Sequence, residues 1–591
     1  MKRVFKYVLR YKLWLIFGFI IKFIGTIMDL AIPYIMSMIV DELIPTKDIN
    51  LIIIYGLIMV GCAIIGFSFN VIANRMATYV ARCSTQDLRY DLFVKMENLS
   101  SKQVDEVTMP SLISRMSTDT YNIYRMIGMM QRIGVRAPIL LIGGIVVTLT
   151  LDSHLTLILL ALLPLIVLVT FLISKIGIPL FTKVQVSMDD MTRTLRENIT
   201  GIRVIKALTK EEYEKNRFQK VNKQVMDFEL KSGRTMATLN PIISFLLNMG
   251  LVGVIVYGAM RVSTGETLVG KIISFTSYFT IILNAMLTIT RIFNVYSRSY
   301  ASALRIDYVM KLPKDLEIKE ETELVNKENH IEFNDVSFSY NGKKNNLSNI
   351  SFSLKKGETL GIIGATGSGK TTLIELLMRF YDVSSGVIRI DGKDIREYER
   401  DELKRKFGVV FQNDNIFSDT IKENIKFGRD ISDEDILLAT QVAMLDKFIN
   451  SNSDGLDYFL LPKGHNLSGG QKQRVYIARA LAGKPEILIL DDASSALDYR
   501  IDALMRKGIK ENYKDITMIV IAQRISSIKN CDKILVIDQG KISGYGTHEE
   551  LCKSSIIYNE IYQSQMGGGI SWMEEITIQE LSKNQKILRK Y

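Results

Sequence analysis

The 591-residue sequence has few of the residues that build disulfide frameworks or metal centres. It contains four cysteines, none of them in a Cys-x-x-Cys pair, so we expect free thiols and no zinc site. Its four histidines are scattered without metal-ligand spacing. Much of the basic excess flanks apolar segments, so the net charge of +11 indicates a membrane surface rather than nucleic-acid binding.

Long apolar runs are abundant. Hydrophobic residues make up 47% of a chain that is 23% charged, and its length exceeds what one soluble core needs. Six segments are long enough to cross a bilayer, which takes about 20 helical residues. We predict spans at Leu13–Ile39, Leu51–Ala73, Ile133–Leu151, Leu155–Ile176, Ile242–Met260 and Ile272–Ile292. The first follows a short amphipathic helix and is too long to be a cleaved signal.

The loops between these spans alternate in length. Loops one, three and five are short, whereas loops two and four are long, polar and rich in arginine and lysine. By the positive-inside rule, the long loops, the N-terminus and everything after the sixth span are cytoplasmic. Apolar residues at three- and four-residue steps predict that the spans continue as helices into the cytoplasm. Each pair then turns near residues 100–120 and 197–212, as a solvated hairpin or as a short transverse helix that inserts into another domain.

Asp29 is an acidic residue inside the first apolar run. It is a candidate partner for a cationic substrate, and equally a residue that hydrogen-bonds within its own helix. The methionines of the apolar segments would suit an adaptable pocket, although plain packing explains them as well.

The second half of the chain is soluble. Hydropathy falls after residue 305, a charged linker covers residues 306–329, and a domain extends over residues 330–566. The stretch TLGIIGATGSGKTTLIELL is typical of a strand, a glycine-rich turn and a helix. Gly364, Gly369, Lys370 and Thr371 complete a P-loop, in which backbone N–H groups and a helix N-terminus surround phosphate. The sequence therefore predicts ATP binding with Mg²⁺.

A P-loop also needs an acid from a neighbouring strand to hold the metal. The apolar run ILIL leads directly into Asp491 and Asp492. The first carboxylate is the predicted magnesium ligand, together with the Thr371 hydroxyl. The second lies where a side chain would polarise the attacking water.

Further motifs create a family resemblance. LSGGQ precedes the helix start KQRVYIARAL, and SALD follows the two carboxylates. With the P-loop, these motifs resemble the ATPase domain of ABC transporters, and the six spans look like an ABC exporter membrane domain. The resemblance covers the chain from about Met1 to Gln565. It implies an α-helical six-span domain over residues 1–305, then an α/β P-loop NTPase, acting in ATP-driven export at the plasma membrane with the ATPase domain in the cytoplasm.

The resemblance also implies roles for individual residues. Tyr340 matches the aromatic that stacks on adenine, and Gln412 matches the glutamine that contacts Mg²⁺. Segments 109–119 and 201–212 match the coupling helices between the two halves. The matched ATP-binding residues are Tyr340, Gly364, Thr366, Gly367, Ser368, Gly369, Lys370, Thr371, Thr372 and Gln412, with Mg²⁺ held by Thr371, Gln412 and Asp491. The signature that completes a partner's ATP site is Leu467, Ser468, Gly469, Gly470 and Gln471, and the loop between sites is Ser495, Ala496, Leu497 and Asp498.

Two residues depart from the family pattern. Asp492 stands where a Glu is expected, and Gln523 where a His is expected. An acid one methylene shorter lies about 1 Å further from the water, and such a displacement can cost about 100-fold in rate. Glutamine cannot relay a proton as histidine can. The pattern resembles the degenerate subunit of a heterodimeric exporter, which retains ATP and completes a fast site on its partner.

Two other interpretations remain open at this point. One is a homodimeric lipid or peptide exporter, and the other is an ATP-gated sensor or channel that does not pump. The expected substrate is an amphipathic small molecule, such as a drug or a lipid-like compound. Residues 567–591 form a glycine run and a polar tail to which the sequence assigns no function.

Overall fold

A computed structural model describes residues 1–313, 316, 318–319, 328–493 and 497–566. It divides the chain into two compact units. The first unit is Met1–Glu97 with Thr108–Leu312, and the second is Asn98–Val107 with the chain from Pro313 onward. Most of the predicted linker and the whole of the tail 567–591 lie outside the described residues.

The first unit is built from long helices. Asp152 separates two of them, because its carboxylate accepts hydrogen bonds from the backbone N–H groups of His154 and Leu155. Two π-helical turns, Arg115–Asp119 and Met130–Gly134, interrupt the third long helical stretch. The helices in this half of the chain are α1 Lys2–Leu9, α2 Lys12–Met38, α3 Ile49–Glu97, α4 Ser101–Val107, α5 Met109–Ser114, α6 Thr120–Met129, α7 Arg136–Leu151, α8 Ser153–Thr200, α9 Ile202–Ala207, α10 Glu211–Ala237, α11 Leu239–Ser263 and α12 Val269–Lys311.

Six helical stretches of the described chain are long and apolar enough to cross a membrane, which confirms the predicted span count. The 49 residues of α3 extend over about 74 Å at 1.5 Å per residue, whereas the hydrocarbon layer is about 30 Å thick. The expectation that the spans continue as helices beyond the bilayer is therefore met. The six stretches are Lys12–Thr46, Ile49–Glu97, Met109–Leu151, Ser153–Thr200, Glu211–Ser263 and Val269–Ile289.

Two boundaries differ from the sequence-based expectation. The membrane unit ends at Leu312 rather than at residue 305, because α12 continues as a helix to Lys311. Within the loop predicted near residues 100–120, the part that joins the ATP-binding unit is Asn98–Val107. The segment 109–119, which the family resemblance matched to the first coupling helix, begins the next long helix and belongs to the membrane unit.

The second unit contains two sheets. The four-stranded sheet has the order β2-β1-β4-β5 and is antiparallel, and the six-stranded sheet has the order β10-β9-β3-β8-β7-β6. All strands of the larger sheet are parallel except β10 at its edge. The strands are β1 Ile331–Phe338, β2 Leu347–Leu354, β3 Thr359–Ile363, β4 Ser385–Ile390, β5 Lys393–Asp394, β6 Phe407–Val410, β7 Ile487–Asp491, β8 Thr517–Ile521, β9 Lys533–Asp538 and β10 Lys541–Gly546. The helices are α13 Lys370–Leu377, α14 Arg400–Arg405, α15 Ile421–Lys426, α16 Asp433–Val442, α17 Asp446–Ser451, α18 Gly469–Ala482, α19 Tyr499–Asn512, α20 His548–Ser554 and α21 Ile556–Met566.

The central strands of the larger sheet are buried on both faces. Every residue of β3, β7 and β8 is buried, so these strands are continuous apolar runs rather than alternating ones. Two apolar clusters flank the sheet, one containing α13 with the four-stranded sheet and the other containing α16 and α18. This packing leaves the carboxyl ends of the strands as the place where polar residues accumulate.

Candidate functional site: a phosphate-binding cavity at the strand ends

A cavity of about 660 Å³ opens at the carboxyl edge of the larger sheet. Parallel strands end at the same edge, so residues that follow different strands meet there although they are far apart in sequence. Residues at the ends of all five parallel strands line this cavity. The lining includes Thr366 to Thr372 of the P-loop after β3 apart from Ser368, Gln412 after β6, Asp491 and Asp492 at the end of β7, Gln523 after β8, and Gln539 and Gly540 after β9.

The P-loop has the backbone that an anion requires. A Cβ on Gly364 would lie 2.1 Å from the Ile537 carbonyl oxygen, so that position accepts only glycine. Gly369 has a φ of +109°, in the region that favours glycine, and it caps the N-terminus of α13. The buried Ser368 hydroxyl has no hydrogen-bond partner within the described part of the chain. These features suit a phosphate that accepts hydrogen bonds from the loop.

Lys370 supplies the positive charge of the cavity. Its ammonium group donates to the carbonyl oxygens of Gly364 at 2.9 Å and Ala365 at 2.8 Å. Burial lowers the pKa of Lys370, whereas the charges of Asp491 and Asp492 act in the opposite direction. A lysine held at this point can neutralise phosphate oxygens.

Asp491 is the carboxylate at the end of β7, and only 4% of its surface is exposed. Burial and the neighbouring charge of Asp492 raise the pKa of Asp491 to about 6, although Lys370 opposes the shift. The Thr371 hydroxyl lines the same cavity. A hydroxyl beside a carboxylate is an oxygen donor set that fits Mg²⁺, and a divalent cation there would favour the ionised form of Asp491.

The two residues that depart from the family pattern lie side by side. Asp492 has a φ of +52°, and its backbone N–H donates to the Ile521 carbonyl at 3.0 Å. The Gln523 amide nitrogen donates to the Asp492 carboxylate at 3.4 Å, which is a long hydrogen bond. Burial raises the pKa of Asp492, and the charges of Arg524 and Lys370 lower it. Both side chains line the cavity next to the P-loop.

The loop that carries Gln523 is held by α21. The Gln565 side chain donates to the Gln523 carbonyl at 2.8 Å and accepts from the Ile525 backbone N–H at 2.8 Å. One amide group therefore bonds the loop on both sides of Arg524. No sequence motif pointed to Gln565, because it lies 40 or more residues from the positions that it contacts.

Comparisons with known proteins agree with this geometry. Residues 15–286 match the ABC transporter transmembrane region, and residues 347–495 match the ABC transporter family. An ABC transporter ATP-binding protein of Bacillus subtilis (strain 168), YfiB, is 34% identical over 541 residues, which are 91% of this chain and 94% of that protein. The chain belongs to the ABC transporters.

Two further comparisons extend the family assignment. The ABC transporter ATP-binding protein exp8 of Streptococcus pneumoniae serotype 4 (strain ATCC BAA-334 / TIGR4) is 30% identical over 568 residues, covering 96% of this chain and 97% of that protein. A solved structure described as a bacterial Atm1-family ABC exporter with ATP bound has a TM-score of 0.81 and 25% identity, covering 94% of this chain and 98% of the other. The predicted exporter fold, the ATPase coupled to transport and the multi-pass plasma-membrane location with a cytoplasmic ATPase domain are thereby confirmed.

The signature of this ABC transporter forms the start of α18. Ser468 caps the helix by accepting from the Gln471 backbone N–H, and the Gln471 side chain accepts from the Ser468 N–H at 2.7 Å. Leu467 is buried, whereas Ser468 and Gly469 are exposed. The lining of the cavity within the described residues includes no signature residue. The motif is thus presented outward, away from the chain's own P-loop.

Tyr340, which the resemblance matched to adenine stacking, does not line the cavity. Its hydroxyl donates to the Glu375 carboxylate at 2.5 Å and lies 3.1 Å from the Thr372 hydroxyl. Its ring meets Tyr381 edge to face, with centroids 5.1 Å apart. Tyr381 in turn donates to Asp105 of α4 at 2.5 Å. The nucleotide cavity and α4 are therefore connected by two tyrosines.

The sequence motifs did not predict one part of the cavity wall. A loop of five polar residues after β1 lines one side, and Gly540 (φ +78°) lies so close to it that a Cβ there would be 2.4 Å from the Asn346 carbonyl. The composition YNGKKNN beside Tyr340 was the available signal, since two lysines near a P-loop suit phosphate. The missed residues of that loop are Asn341, Lys343, Lys344, Asn345 and Asn346.

The loop predicted to lie between the two ATP sites, Ser495 to Asp498, is described in part. Leu497 is buried and Asp498 precedes α19, whereas Ser495 and Ala496 lie outside the described residues.

His330 lies 3.7 Å from Asp391 and 3.8 Å from Glu486, a grouping that its sequence context did not suggest. Lys406 contacts both of these carboxylates, at 3.2 and 2.8 Å, so the cluster already contains its cation.

Proposed function

We propose that this chain is one half of a heterodimeric ABC exporter, and that its own nucleotide site binds Mg²⁺-ATP firmly but hydrolyses it slowly. The observation that carries the proposal is the pair Asp492 and Gln523 in the cavity of an otherwise complete P-loop. A chain that had lost phosphate binding would be expected to have changes in the P-loop, in Lys370 or in Asp491. This chain retains all of them. The two departures within the nucleotide site are at positions that serve cleavage.

The chemistry of the pair supports slow cleavage. A water that attacks the terminal phosphate needs an acceptor for its proton, and the short Asp492 side chain holds that acceptor back by about one bond length. Gln523 has no titratable group, and its amide nitrogen already donates to Asp492. Thr371, Gln412 and Asp491 are the residues of this chain that would hold Mg²⁺, which when bound would offset the negative charge of the phosphate.

The need for a second chain is supported by the surface of this one. The signature is exposed and lies apart from the chain's own cavity, so a bound phosphate there would be completed by another signature. Helix α9 and its C-cap residue present apolar side chains to solvent: Val204 is 61% exposed and Leu208 is 62% exposed. The 48 residues of α8 place α9 about 70 Å from the outer end of that helix, well beyond a hydrocarbon layer of about 30 Å. Lipid cannot cover this apolar tip, whereas a partner's ATPase domain can.

The resulting cycle uses both chains. ATP at the two sites holds the ATPase domains together, and the segments α4 and α9 transmit that closure to the spans, which turn from inward-facing to outward-facing. Hydrolysis at the partner's site, completed by Ser468, Gly469 and Gly470 of this chain, resets the exporter. ATP retained at the site of Asp492 keeps the domains associated between cycles.

The test is to restore the two expected residues in the two-chain assembly. The assembly is loaded with a photoreactive ATP analogue radiolabelled at the α-phosphate and irradiated, and the nucleotide attached to this chain is identified after the chains are separated. We expect the native chain to retain mainly ATP, and the Asp492→Glu, Gln523→His variant to contain mainly ADP, with a rate about 100-fold higher.

The matched control is Asp492→Asn, which keeps the size of the side chain and removes the acceptor, and which should retain ATP as the native chain does. The proposal fails if the restored chain cleaves no faster, or if the native chain alone turns over ATP rapidly, as a homodimer would. Vesicles that contain both chains, bind ATP and move no probe would instead favour a sensor or channel.

A further inference from the structure

The turn between β1 and β2 brings two lysines to the nucleotide cavity. We call residues 341–346 the lysine turn; their sequence is NGKKNN, and five of the six line the cavity. None of the six belongs to a motif that the family resemblance matched. Lys343 and Lys344 are exposed, and within the described residues their side chains have no ion pair and no hydrogen bond. Their ammonium groups are therefore free to contact a ligand in the cavity.

The backbone of the lysine turn is held by its own hydrogen bonds. The Asn346 N–H donates to the Phe338 carbonyl at 2.8 Å, which closes the turn between the two strands. The Ser339 hydroxyl donates to the Lys344 carbonyl at 2.7 Å, and the Asn346 side-chain oxygen accepts from the Tyr340 N–H at 3.3 Å. A turn fixed in this way loses little backbone entropy when its side chains bind a ligand.

The lysine turn also packs directly against the P-loop. A Cβ on Gly369 would lie 3.2 Å from the Asn346 carbonyl oxygen, and a Cβ on Gly540 would lie 2.4 Å from the same atom. The Gly540 N–H donates to the Ser368 carbonyl at 3.0 Å, and the Gly540 carbonyl accepts from the Ser348 N–H at 2.8 Å. These backbone contacts place the two lysines beside the loop that surrounds phosphate.

Lys343 and Lys344 change the sign of the side-chain charge in the cavity. The other charged side chains of its lining, among the described residues, are Lys370, Asp491 and Asp492. One ammonium and two carboxylates give a net charge of −1, which repels an anionic nucleotide. The two lysines bring this net charge to +1. The lysine turn therefore converts a set of side chains that disfavours phosphate into one that attracts it.

We infer that Lys343 and Lys344 bind the phosphate chain of the nucleotide, in addition to Lys370, and that they slow the release of ATP from this site. An ammonium group is a compact charge with three donors, which suits phosphate oxygens. The contact is to charge and not to the base, so it serves ATP and GTP alike. The inference rests on the proposed function in one respect, since a site that retains ATP needs slow release as well as slow cleavage.

The first experiment measures nucleotide binding without cleavage. Purified full-length chain in a neutral detergent with Mg²⁺ is titrated with mant-AMPPNP, a fluorescent analogue that is not hydrolysed. We expect the Lys343→Gln, Lys344→Gln double variant to bind it at least tenfold more weakly, mainly through faster release, which is followed by displacement with excess unlabelled AMPPNP. Added salt should weaken binding to the native chain more steeply than binding to the variant, because the variant lacks two charge contacts.

A series of competing ligands identifies the part of the nucleotide that the lysines contact. The double variant should lose the same factor in affinity for AMPPNP and for GMPPNP, which differ only in the base. Adenosine has no phosphate, so native and variant chains should bind it equally. An equal loss for adenosine and AMPPNP would place the lysines at the base or ribose and would overturn the inference.

The chain offers a matched control pair. Lys355 and Lys356 are also adjacent and exposed, in the turn between β2 and β3, and they are not part of the cavity lining. The Lys355→Gln, Lys356→Gln variant changes the charge of the unit by the same amount and should bind mant-AMPPNP within twofold of native. Lys343→Arg, Lys344→Arg keeps both charges and should retain binding within about threefold.

Unchanged binding in the Lys343→Gln, Lys344→Gln variant overturns the inference, and so does an equal loss in the control pair. The probe is not cleaved, so these outcomes do not depend on how fast Asp492 and Gln523 allow hydrolysis. Rapid cleavage by the native site would defeat the proposed function and leave the lysine contact standing. Release that is no faster in the variant would defeat the lysine contact and leave slow cleavage standing.

Discussion

Asp491 is a buried carboxylate of the ATP-binding unit whose ionisation depends on its surroundings. Burial and Asp492 raise its pKa to about 6, above the ordinary value near 4. The folded chain thus binds this proton more tightly than the unfolded chain does. The resulting destabilisation is absent below about pH 4, develops as the pH rises from 4 to 6, and is complete above about pH 6.

This shift leads to a prediction for Asp491→Asn. At pH 8 the variant should be more stable than the native protein by roughly 2 kcal/mol, and at pH 5 the difference should shrink, as measured by thermal unfolding without nucleotide. Mg²⁺-dependent ATP binding should be lost in the variant. In the native protein it should weaken as the pH falls below about 6, because a protonated Asp491 cannot hold the metal. A native binding curve that is flat between pH 5 and pH 8 would contradict this account.

At the scale of elements, α4 is the short helix that belongs to the ATP-binding unit although it lies in the first half of the sequence. Its Asp105 accepts from Tyr381, whose ring meets the ring of Tyr340 beside the P-loop helix. Burial and the hydrogen bond to Asp105 raise the pKa of Tyr381, so it stays a donor at neutral pH. The arrangement connects the cavity to the segment that leads back to α3 and α5.

Removing one hydroxyl tests this connection. Tyr381→Phe keeps the ring contact with Tyr340 and deletes the bond to Asp105. We expect ATP binding to remain within twofold of native while ATP-dependent transport falls several-fold, as measured in vesicles with both chains. Tyr398→Phe is the matched control, since its hydroxyl donates to the Ile390 carbonyl within the same unit and its loss should leave the ratio of transport to hydrolysis unchanged. Equal effects of the two variants would argue against a role of α4 in coupling.

The location of α4 also shows what sequence patterns can and cannot predict. Hydropathy and motif spacing are local properties, so the six spans, the P-loop and the strand before Asp491 were predicted correctly. The contact of α4 depends on Tyr381, which lies 276 residues away. The polar loop from Asn341 to Asn346 joins the cavity only because β1 and β9 bring it near Gly540. Arg136 donates to the Asp29 carboxylate at 2.9 Å, and this pairing likewise follows from helix packing, which single-chain periodicity does not reveal.

At the scale of the whole molecule, the proposed function assigns the P-loop and the signature of this chain to two different ATP sites. Under this proposal, the P-loop of this chain serves its own slow site, and its exposed signature serves the partner's fast site. Substitutions in the two motifs should therefore have unequal effects. A homodimer would use both motifs in every site and would show equal effects.

This inequality can be measured in the two-chain assembly. Ser468→Arg places a bulky cation in the signature and should lower steady-state ATPase activity at least 100-fold. Lys370→Ala should weaken ATP binding to this chain and leave a substantial part of the steady-state turnover. Lys472→Ala, in the same helix as the signature, is the control for a local change of charge and should be close to native. Equal loss in Ser468→Arg and Lys370→Ala would contradict the division of labour.

The double hydrogen bond of Gln565 has a practical consequence. This side chain comes from the last turn of α21 and fastens the turn that carries Gln523. A truncated protein that stops after residue 566 keeps that fastening, whereas one that stops at residue 560 releases it. Helix α21 thereby holds the turn beside the nucleotide site in place, and an affinity tag is better placed at the N-terminus than joined to a shortened α21.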